Sequence, residues 1–171
     1  MKVCTLYSWV SGESDLLSYW LLSLKGGGRQ KTWRWAAYKI LAGKLQELPA
    51  HCVVVPAPPT KKGQKDHAYE WGKALAESIG ADFAPCLEKA SPKAQKKASV
   101  MDRENMSLQL IENYTGLERV TKSTLWIFAD DILTTGSTAR AARKALGYPP
   151  HFETWVLAQR KLSCGASKHL L

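Results

Sequence analysis

The chain has 171 residues, of which 45% are apolar and 23% are charged, and its formal net charge is +9. This composition excludes disordered and collagen-like chains, and one domain of this length buries about two-thirds of its unfolded surface without needing a disulfide or a metal. The longest apolar stretch, 16–24, is about half the length that spans a bilayer, and residues 1–10 lack a secretory signal, so we expect a cytoplasmic protein with no membrane partner.

The first 50 residues are predicted to form a helical hood. A stretch from 13 to 24 begins with acidic residues and spaces its apolar residues by three and four positions, which is typical of an amphipathic helix. Three glycines at 26–28 end this helix. A second helix is predicted from about Gln30 to Leu48, with most of its apolar residues near one face, and Pro49 closes it.

From residue 51 onward, short apolar runs alternate with helical segments, which is typical of a parallel α/β sheet. Strands are predicted at 53–55, 83–87, 125–129 and 154–158, and helices at 69–79 and 138–146, which end at Gly80 and Gly147. Residues 89–119 are polar and are predicted to form a flexible excursion with a short helix around 102–111 and room for edge strands. The prediction is therefore one domain, 1–171, with the hood at 1–50 and an α/β core at 51–171.

The four cysteines lie too far apart for the paired spacing that zinc sites use, so no structural zinc is predicted. Cys52 adjoins the apolar run 53–55, and Cys86 follows Phe83-Ala84-Pro85. Both are predicted to be small buried residues rather than nucleophiles, because a reactive thiol needs partly exposed, positively charged surroundings.

The segment from Ile127 to Thr138 places two carboxylates and a hydroxyl-rich turn between a strand and a helix. Thr135 or Ser137 can cap the helix, whose first N–H groups form an anion site suited to phosphate, and Gly136 lets the backbone approach that anion. The acidic pair, Asp130 and Asp131, suits either a sugar diol or Mg²⁺. The alternative is an ordinary helix cap beside two solvated acids. The order of these features favours the ligand site.

This order resembles the phosphoribosyl pyrophosphate (PRPP) signature of type I phosphoribosyltransferases; the matching residues are Phe128-Ala129-Asp130-Asp131-Ile132-Leu133-Thr134-Thr135-Gly136-Ser137-Thr138. Other stretches resemble the ComF family of competence-associated, phosphoribosyltransferase-like proteins: Leu24-Lys25, Val55-Pro56-Ala57-Pro58, Lys62-Gly63, Asp66-His67-Ala68, Pro92-Lys93-Ala94-Gln95 and Asp102-Arg103-Glu104-Asn105. The N-terminal zinc ribbon of many members is absent, so zinc is not carried over.

The resemblance implies a type I phosphoribosyltransferase fold, with a parallel sheet flanked by helices. It also implies a glycosyltransferase that binds PRPP with Mg²⁺ and transfers the 5-phosphoribosyl group to an unidentified acceptor, releasing pyrophosphate. Asp130 and Asp131 would hold the ribose hydroxyls, directly or through Mg²⁺. The 5′-phosphate would bind the turn formed by Thr134, Thr135, Gly136, Ser137 and Thr138.

The resemblance also implies a pyrophosphate site in the loop after the first core strand. Its residues would be Ala57, Pro58, Lys61 and Lys62, with Arg103 arriving from the excursion as part of a lid. The lysines fit a solvated basic loop equally well. His67 could act as a general base because its ordinary pKa lies near neutral pH, but a lone histidine beside an acidic residue is more often a surface hydrogen-bonding group.

The alternative interpretation is a non-catalytic accessory protein of competence or DNA uptake that uses the fold to bind PRPP or single-stranded nucleic acid. Basic residues alternate with Trp33 and Trp35 along residues 29–39, a pattern that permits phosphate contacts and base stacking. Trp20, Trp126 and Trp155 lie in apolar runs and are predicted to belong to the core.

Overall fold

The computed structural model describes residues 2–10, 30–42, 48–59, 66–90 and 108–161. In these ranges the strands are β1 (Lys2–Val10), β2 (Cys52–Pro56), β3 (Asp82–Phe83), β4 (Leu87–Lys89), β5 (Leu108–Leu110), β6 (Leu125–Leu133) and β7 (Phe152–Lys161). The helices in the same ranges are α1 (Gln30–Leu41), α2 (His67–Ile79) and α3 (Ser137–Ala145). None of these helices is long and apolar enough to cross a membrane.

Five of the strands form one parallel sheet with the order β1-β7-β6-β2-β3. The other two, β4 and β5, pair antiparallel in a separate two-stranded sheet. Parallel sheets need cover on both faces, and the helices provide it. The predicted α/β class, a parallel sheet flanked by helices, is confirmed.

The two faces of the sheet carry separate apolar cores. On one face, α1 and α2 pack against the strands around Trp71 and Trp155, which are both fully buried. On the other face, α3 contributes Ala139 and Ala142. Strand β2, which lies between β6 and β3, sends Val54 to the first core and its two neighbouring valines to the second. This burial on both faces explains why β2 is a continuous β-branched run.

Gly72 brings α2 close to the sheet. A Cβ at this position would lie 3.2 Å from Cε2 of Phe83 and 3.3 Å from the Cβ atoms of both Ala129 and Pro56. These distances are tighter than ordinary contacts, so the missing side chain is what permits the approach. The packing fixes α2 over β2, β3 and β6.

The first strand differs from the predicted hood. Residues Lys2–Val10 pair parallel with β7, from Lys2 opposite Glu153 to Val10 opposite Lys161. Their β-branched and aromatic residues favour an extended strand, but the partner lies at the other end of the chain. The second predicted helix is confirmed over Gln30–Leu41. The helix predicted at 13–24 lies outside the described residues.

Two predictions between β2 and β6 are wrong. The strand predicted at 83–87 is divided between β3 and β4, which belong to different sheets. Pro85 has no N–H to continue the ladder, and the Cys86 N–H donates instead to the Ala84 oxygen at 2.8 Å. The helix predicted around 102–111 is contradicted at Leu108–Leu110, which form β5 with Leu110 opposite Leu87. Of the two paired strands, β5 lies within 89–119, where the prediction allowed for edge strands.

The predicted helix ends agree with the structure. Gly80 ends α2 in the left-handed conformation, with φ 65°, and Gly147 follows α3 with φ 77°. Both angles suit glycine, which has no Cβ to clash. The strands predicted at 53–55, 125–129 and 154–158 are each present and longer than predicted.

Candidate active site

The acidic pair lies where β6 extends beyond its neighbour β2. The pairing of β2 with β6 ends at Pro56 opposite Ala129, whereas β6 continues beside β7 as far as Leu133. The Ala57 N–H still donates to the Ala129 oxygen at 2.8 Å, after which the chain leaves the sheet. At the carboxyl ends of the strands, β6 therefore projects further than β2. This difference forms a step in the sheet edge, with Ala57 and Pro58 on one side and Asp130 and Asp131 on the other.

Asp130 is held in an environment that disfavours its charge. Burial raises the pKa of its carboxyl group well above the ordinary value, and the negative charges of Asp131 and Asp66 raise it further. The Asp131 N–H donates to Oδ1 of Asp130 at 2.9 Å, and the Ile132 N–H donates to Oδ1 of Asp131 at 2.8 Å. The backbone N–H groups thus orient both carboxylates, but they supply no positive charge to balance them.

Asp66 brings a third carboxyl group to the same edge. It occupies the position before α2 but makes no side-chain capping bond, and its Oδ1 is buried with no hydrogen-bond partner in the described part of the chain. An unpartnered buried carboxylate oxygen is costly unless a ligand pairs with it. The sequence had marked Asp66 only as part of a loop motif; an aspartate before a helix ordinarily indicates a cap, and that bond is missing here.

The turn from Thr134 to Thr138 connects β6 directly to α3. Gly136 occupies the N-cap position with φ 72°, in the left-handed region. The Thr135 hydroxyl accepts a bond from the Ser137 N–H at 3.3 Å and donates to the Ser137 hydroxyl at 3.1 Å. Arg140 donates from Nη1 to the Thr135 oxygen at 2.9 Å. The predicted hydroxyl groups are therefore close together at the start of a helix, and Arg140 is a contact that the sequence analysis missed.

The structure brings together part of the predicted site. Asp130, Asp131 and the 134–138 turn follow one another along a single strand end, and Ala57 and Pro58 lie across the step from the acidic pair. His67 is half-buried as the first residue of α2, next to Asp66. Lys61, Lys62 and Arg103 lie outside the described residues, so their predicted contact with pyrophosphate stays a prediction.

The carboxylates at this edge can supply part of a Mg²⁺ coordination sphere but not all of it. Mg²⁺ is usually bound by one or two carboxylates, with substrate phosphates and waters completing the octahedron. Among the described residues no group of three or more His, Cys, Asp and Glu side chains is arranged to hold a metal on its own. The carboxylate pair, with the unpartnered oxygen of Asp66 nearby, suits a cation that arrives with a phosphorylated ligand.

A separate cavity of about 100 Å³ lies between α1 and α2 and includes none of the predicted site residues. It is lined by Trp33, Arg34, Glu70, Lys73, Ala74 and Glu77. Nη2 of Arg34 pairs with Oε2 of Glu77 at 3.2 Å. The charges lining this cavity are thus partly satisfied within the protein.

Two tryptophans and two cysteines lie in the core as predicted, but Trp33, which the sequence offered for base stacking, is also buried, at 4% exposure. Trp126 and Trp155 are buried, whereas Trp35 is 45% exposed. Cys52 and Cys86 are both buried, and burial raises the pKa of the Cys86 thiol to about 11. Burial also raises the pKa of the Cys52 thiol, and the prediction that both cysteines are small buried residues is confirmed.

The chain matches no protein-family model and no curated protein. Among solved structures it is similar to a hypoxanthine phosphoribosyltransferase from Staphylococcus aureus, with 13% sequence identity and a TM-score of 0.41, over 85% of this chain and 71% of that chain. Membership of the ComF family stays a prediction from the motifs.

Proposed function

We propose that this protein binds PRPP, or a related phosphorylated ribose, with Mg²⁺ and transfers the 5-phosphoribosyl group to an acceptor. The observation that carries the proposal is a pair of half-buried carboxylates, Asp130 and Asp131, at the end of the strand that leads into the turn before α3, where burial raises the pKa of Asp130. A buried carboxylate is stabilised by hydroxyl donors or by a cation. A phosphorylated ribose with Mg²⁺ offers both, together with an anion for the turn.

The turn formed by residues 134–138 is the proposed site of the 5′-phosphate. The first N–H groups of a helix lack intrahelical acceptors, and the helix dipole places a partial positive charge beside them. Gly136 keeps a side chain out of this position, and Thr134 and Thr135 are exposed. The ribose would then extend from the turn toward Asp130 and Asp131, whose oxygens accept bonds from its hydroxyl groups.

In the proposed reaction the bond between C1′ and the pyrophosphate oxygen breaks, and pyrophosphate leaves with the electron pair. A nucleophilic atom of the acceptor forms the new bond to C1′. The acidic pair would stabilise the positive charge that develops on the ribose in between. Mg²⁺, when bound, would neutralise part of the charge on the departing pyrophosphate.

We propose separate binding positions for the leaving pyrophosphate and for the acceptor, on either side of the ribose. Pyrophosphate is proposed to lie beside Ala57 and Pro58, with Lys61, Lys62 and Arg103 as its cations. His67 is the proposed base that takes the acceptor's proton, because it begins α2 at the same edge as Asp130. A cytoplasmic location is proposed from residues 1–24, which lack a secretory signal and a bilayer-spanning stretch, and the motif resemblance adds the competence machinery as a proposed partner.

Calorimetric titration with PRPP, in the presence and absence of Mg²⁺, tests the binding half of the proposal. We expect saturable binding that depends on Mg²⁺. Pyrophosphate release in a screen of acceptors then tests transfer. Failure to bind PRPP with Mg²⁺ at millimolar concentration would contradict the proposal, whereas binding without transfer would support a non-catalytic protein that senses PRPP.

One observation favours single-stranded nucleic acid as a second candidate ligand. On α1, Trp35 and Tyr38 are 45% and 65% exposed, and Nζ of Lys39 lies 5.8 Å from the centroid of the Trp35 ring. Exposed aromatic rings beside cations can stack bases and contact phosphates. Titration with an oligothymidine at several salt concentrations distinguishes this candidate from the first.

A further inference from the structure

Arg140 holds two successive carbonyl groups of the 134–138 turn. Its backbone N–H donates to the Gly136 oxygen at 3.0 Å, which is the ordinary first bond of a helix. Its side chain reaches further back, and Nη1 donates to the Thr135 oxygen at 2.9 Å. The second bond is not part of helix geometry, so the Thr135 carbonyl is oriented by a side chain.

The orientation of this carbonyl determines where the next N–H points. No cis peptide bond occurs in the described residues, and in a trans peptide the C=O and the following N–H point in opposite directions. Fixing the Thr135 oxygen toward Arg140 therefore directs the Gly136 N–H to the other side of the peptide plane. The same bond keeps the negative end of the carbonyl dipole from turning toward that side.

Gly136 is a position at which the backbone needs such a restraint. Its φ of 72° lies in a region that glycine enters freely, and glycine has the widest choice of alternative conformations. Rotation of the peptide between Thr135 and Gly136 would replace a donor by an acceptor where an anion is expected. The hydroxyl bonds of Thr135 join it to Ser137 and leave this rotation unrestrained.

We propose that Arg140 is a positioning residue that presents the Gly136 N–H to the phosphate of the ligand. This inference rests on the proposed function, which places a phosphate at the turn. Arg140 would act by orienting the peptide between Thr135 and Gly136, and not only by attracting the phosphate with its positive charge. Lys144 offers a matched control because it is exposed, lies one helical turn further along α3, and makes none of the described contacts with the turn.

The first test measures the affinity for ribose 5-phosphate by calorimetry in Arg140→Met and Lys144→Met. Each variant loses one positive charge. We expect about three- to tenfold weaker binding for Arg140→Met and less than twofold for Lys144→Met, since a charged hydrogen bond outweighs a distant surface charge. The difference should persist at 0.5 M salt, which screens charge attraction but not backbone orientation. Equal losses, or a difference that vanishes in salt, would overturn the proposal.

The second test needs no ligand. The amide resonance of Gly136 should shift or broaden in Arg140→Met and stay in place in Lys144→Met, because only the first variant frees the peptide to rotate. An unchanged Gly136 resonance in Arg140→Met would overturn the proposal. If the parent protein does not bind ribose 5-phosphate, the phosphate part of this inference fails, whereas the proposed function fails only if PRPP with Mg²⁺ does not bind either. The Gly136 resonance then still decides whether Arg140 orients the peptide.

Discussion

The indole N–H of Trp71 donates a hydrogen bond to the main-chain oxygen of Trp155 at 3.1 Å, between residues 84 positions apart. Both side chains are fully buried. The bond joins α2 to β7 across the strand that carries the acidic pair, and together with Gly72 it fixes α2 over the sheet. The core contacts of α2 therefore fix the position of Asp66, which lies immediately before this helix.

Replacing Trp71 by Phe should destabilise the protein by about 2 kcal/mol or more, because it removes a buried hydrogen bond and leaves a cavity. Urea unfolding followed by circular dichroism measures this change. Trp35→Phe is the matched control, and since Trp35 is 45% exposed we expect it to change stability by less than about 0.5 kcal/mol. Similar values for the two variants would contradict the structural role assigned to Trp71.

Asp130→Asn should stabilise the protein at neutral pH. Burial and the nearby carboxylates raise the pKa of Asp130 in the folded state, so between the unfolded and folded pKa values the folded state binds more protons. Stability therefore falls as the pH rises through that range, and the variant escapes this loss. The advantage should disappear below about pH 4, where aspartate is protonated in the unfolded chain as well.

Urea unfolding of Asp130→Asn at pH 7 and at pH 3.5 measures this dependence. Glu112→Gln is the control, since Glu112 is an exposed carboxylate and its loss should change stability by less than about 0.5 kcal/mol. If the variant is no more stable than the parent at pH 7, the folded protein does not raise the pKa of Asp130 and the prediction is wrong.

Replacing Asp130 and Asp131 together by Asn should weaken the Mg²⁺-dependent binding of PRPP at least tenfold. The variant keeps the size of both side chains but removes two negative charges that a cation or a ribose diol would use. Inorganic phosphate should bind as well as before or better, because a repulsive charge is lost. Calorimetric titration of both ligands checks this prediction, and unchanged affinity for PRPP with Mg²⁺ would exclude the acidic pair as a ligand set.

Gly136→Ala and Gly80→Ala should cost similar stability but differ in ligand binding. Both glycines have positive φ, 72° and 65°, and a Cβ in this region costs about 1–2 kcal/mol. Only Gly136 lies in the turn proposed to bind phosphate, so only its substitution should weaken binding of ribose 5-phosphate. Thermal unfolding and calorimetry together test the pair, and equal affinities would place the phosphate elsewhere.

The exposed rings of α1 provide a test between the two candidate ligands. If PRPP is the ligand, an oligothymidine should bind weakly, and its affinity should fall steeply between 50 and 200 mM salt, about as expected for contacts to phosphates alone. Trp35→Ala and Tyr38→Ala should then leave PRPP binding unchanged. Tight binding at physiological salt that these variants abolish and PRPP does not affect would favour the nucleic-acid interpretation.

Local patterns predicted the part of the site that is continuous in sequence. The run 125–129, the acidic pair and Gly136 predict a strand, a turn and a helix without reference to the rest of the chain, and all three are present. The class of fold followed from the alternation of such units. What the sequence could not show is which distant charges lie close enough to interact, as those of Asp66 and Asp130 do.

The failures share the same physical cause. Strand β1 forms by pairing with β7, which is distant in sequence. The strand predicted at 83–87 is divided at Pro85, and its two halves pair with strands elsewhere in the chain, which local sequence does not reveal. The bond from Arg140 to the Thr135 oxygen spans only five residues, but an exposed arginine on a helix gives no pattern that indicates it. Hydrophobic periodicity reports burial and not hydrogen-bond partners.

The pairing of β1 with β7 also imposes an order on folding. Cys4 and Glu153 are 149 positions apart, yet their side chains are 3.4 Å apart, and Lys2 pairs with the same carboxylate at 2.9 Å. On the ribosome β1 must wait, without its partner, until β7 has also been synthesised. Contacts of such long sequence separation slow folding and expose an unpaired strand edge in the meantime. The sheet edge that β1 forms can thus be completed only after β7 is available to pair with it.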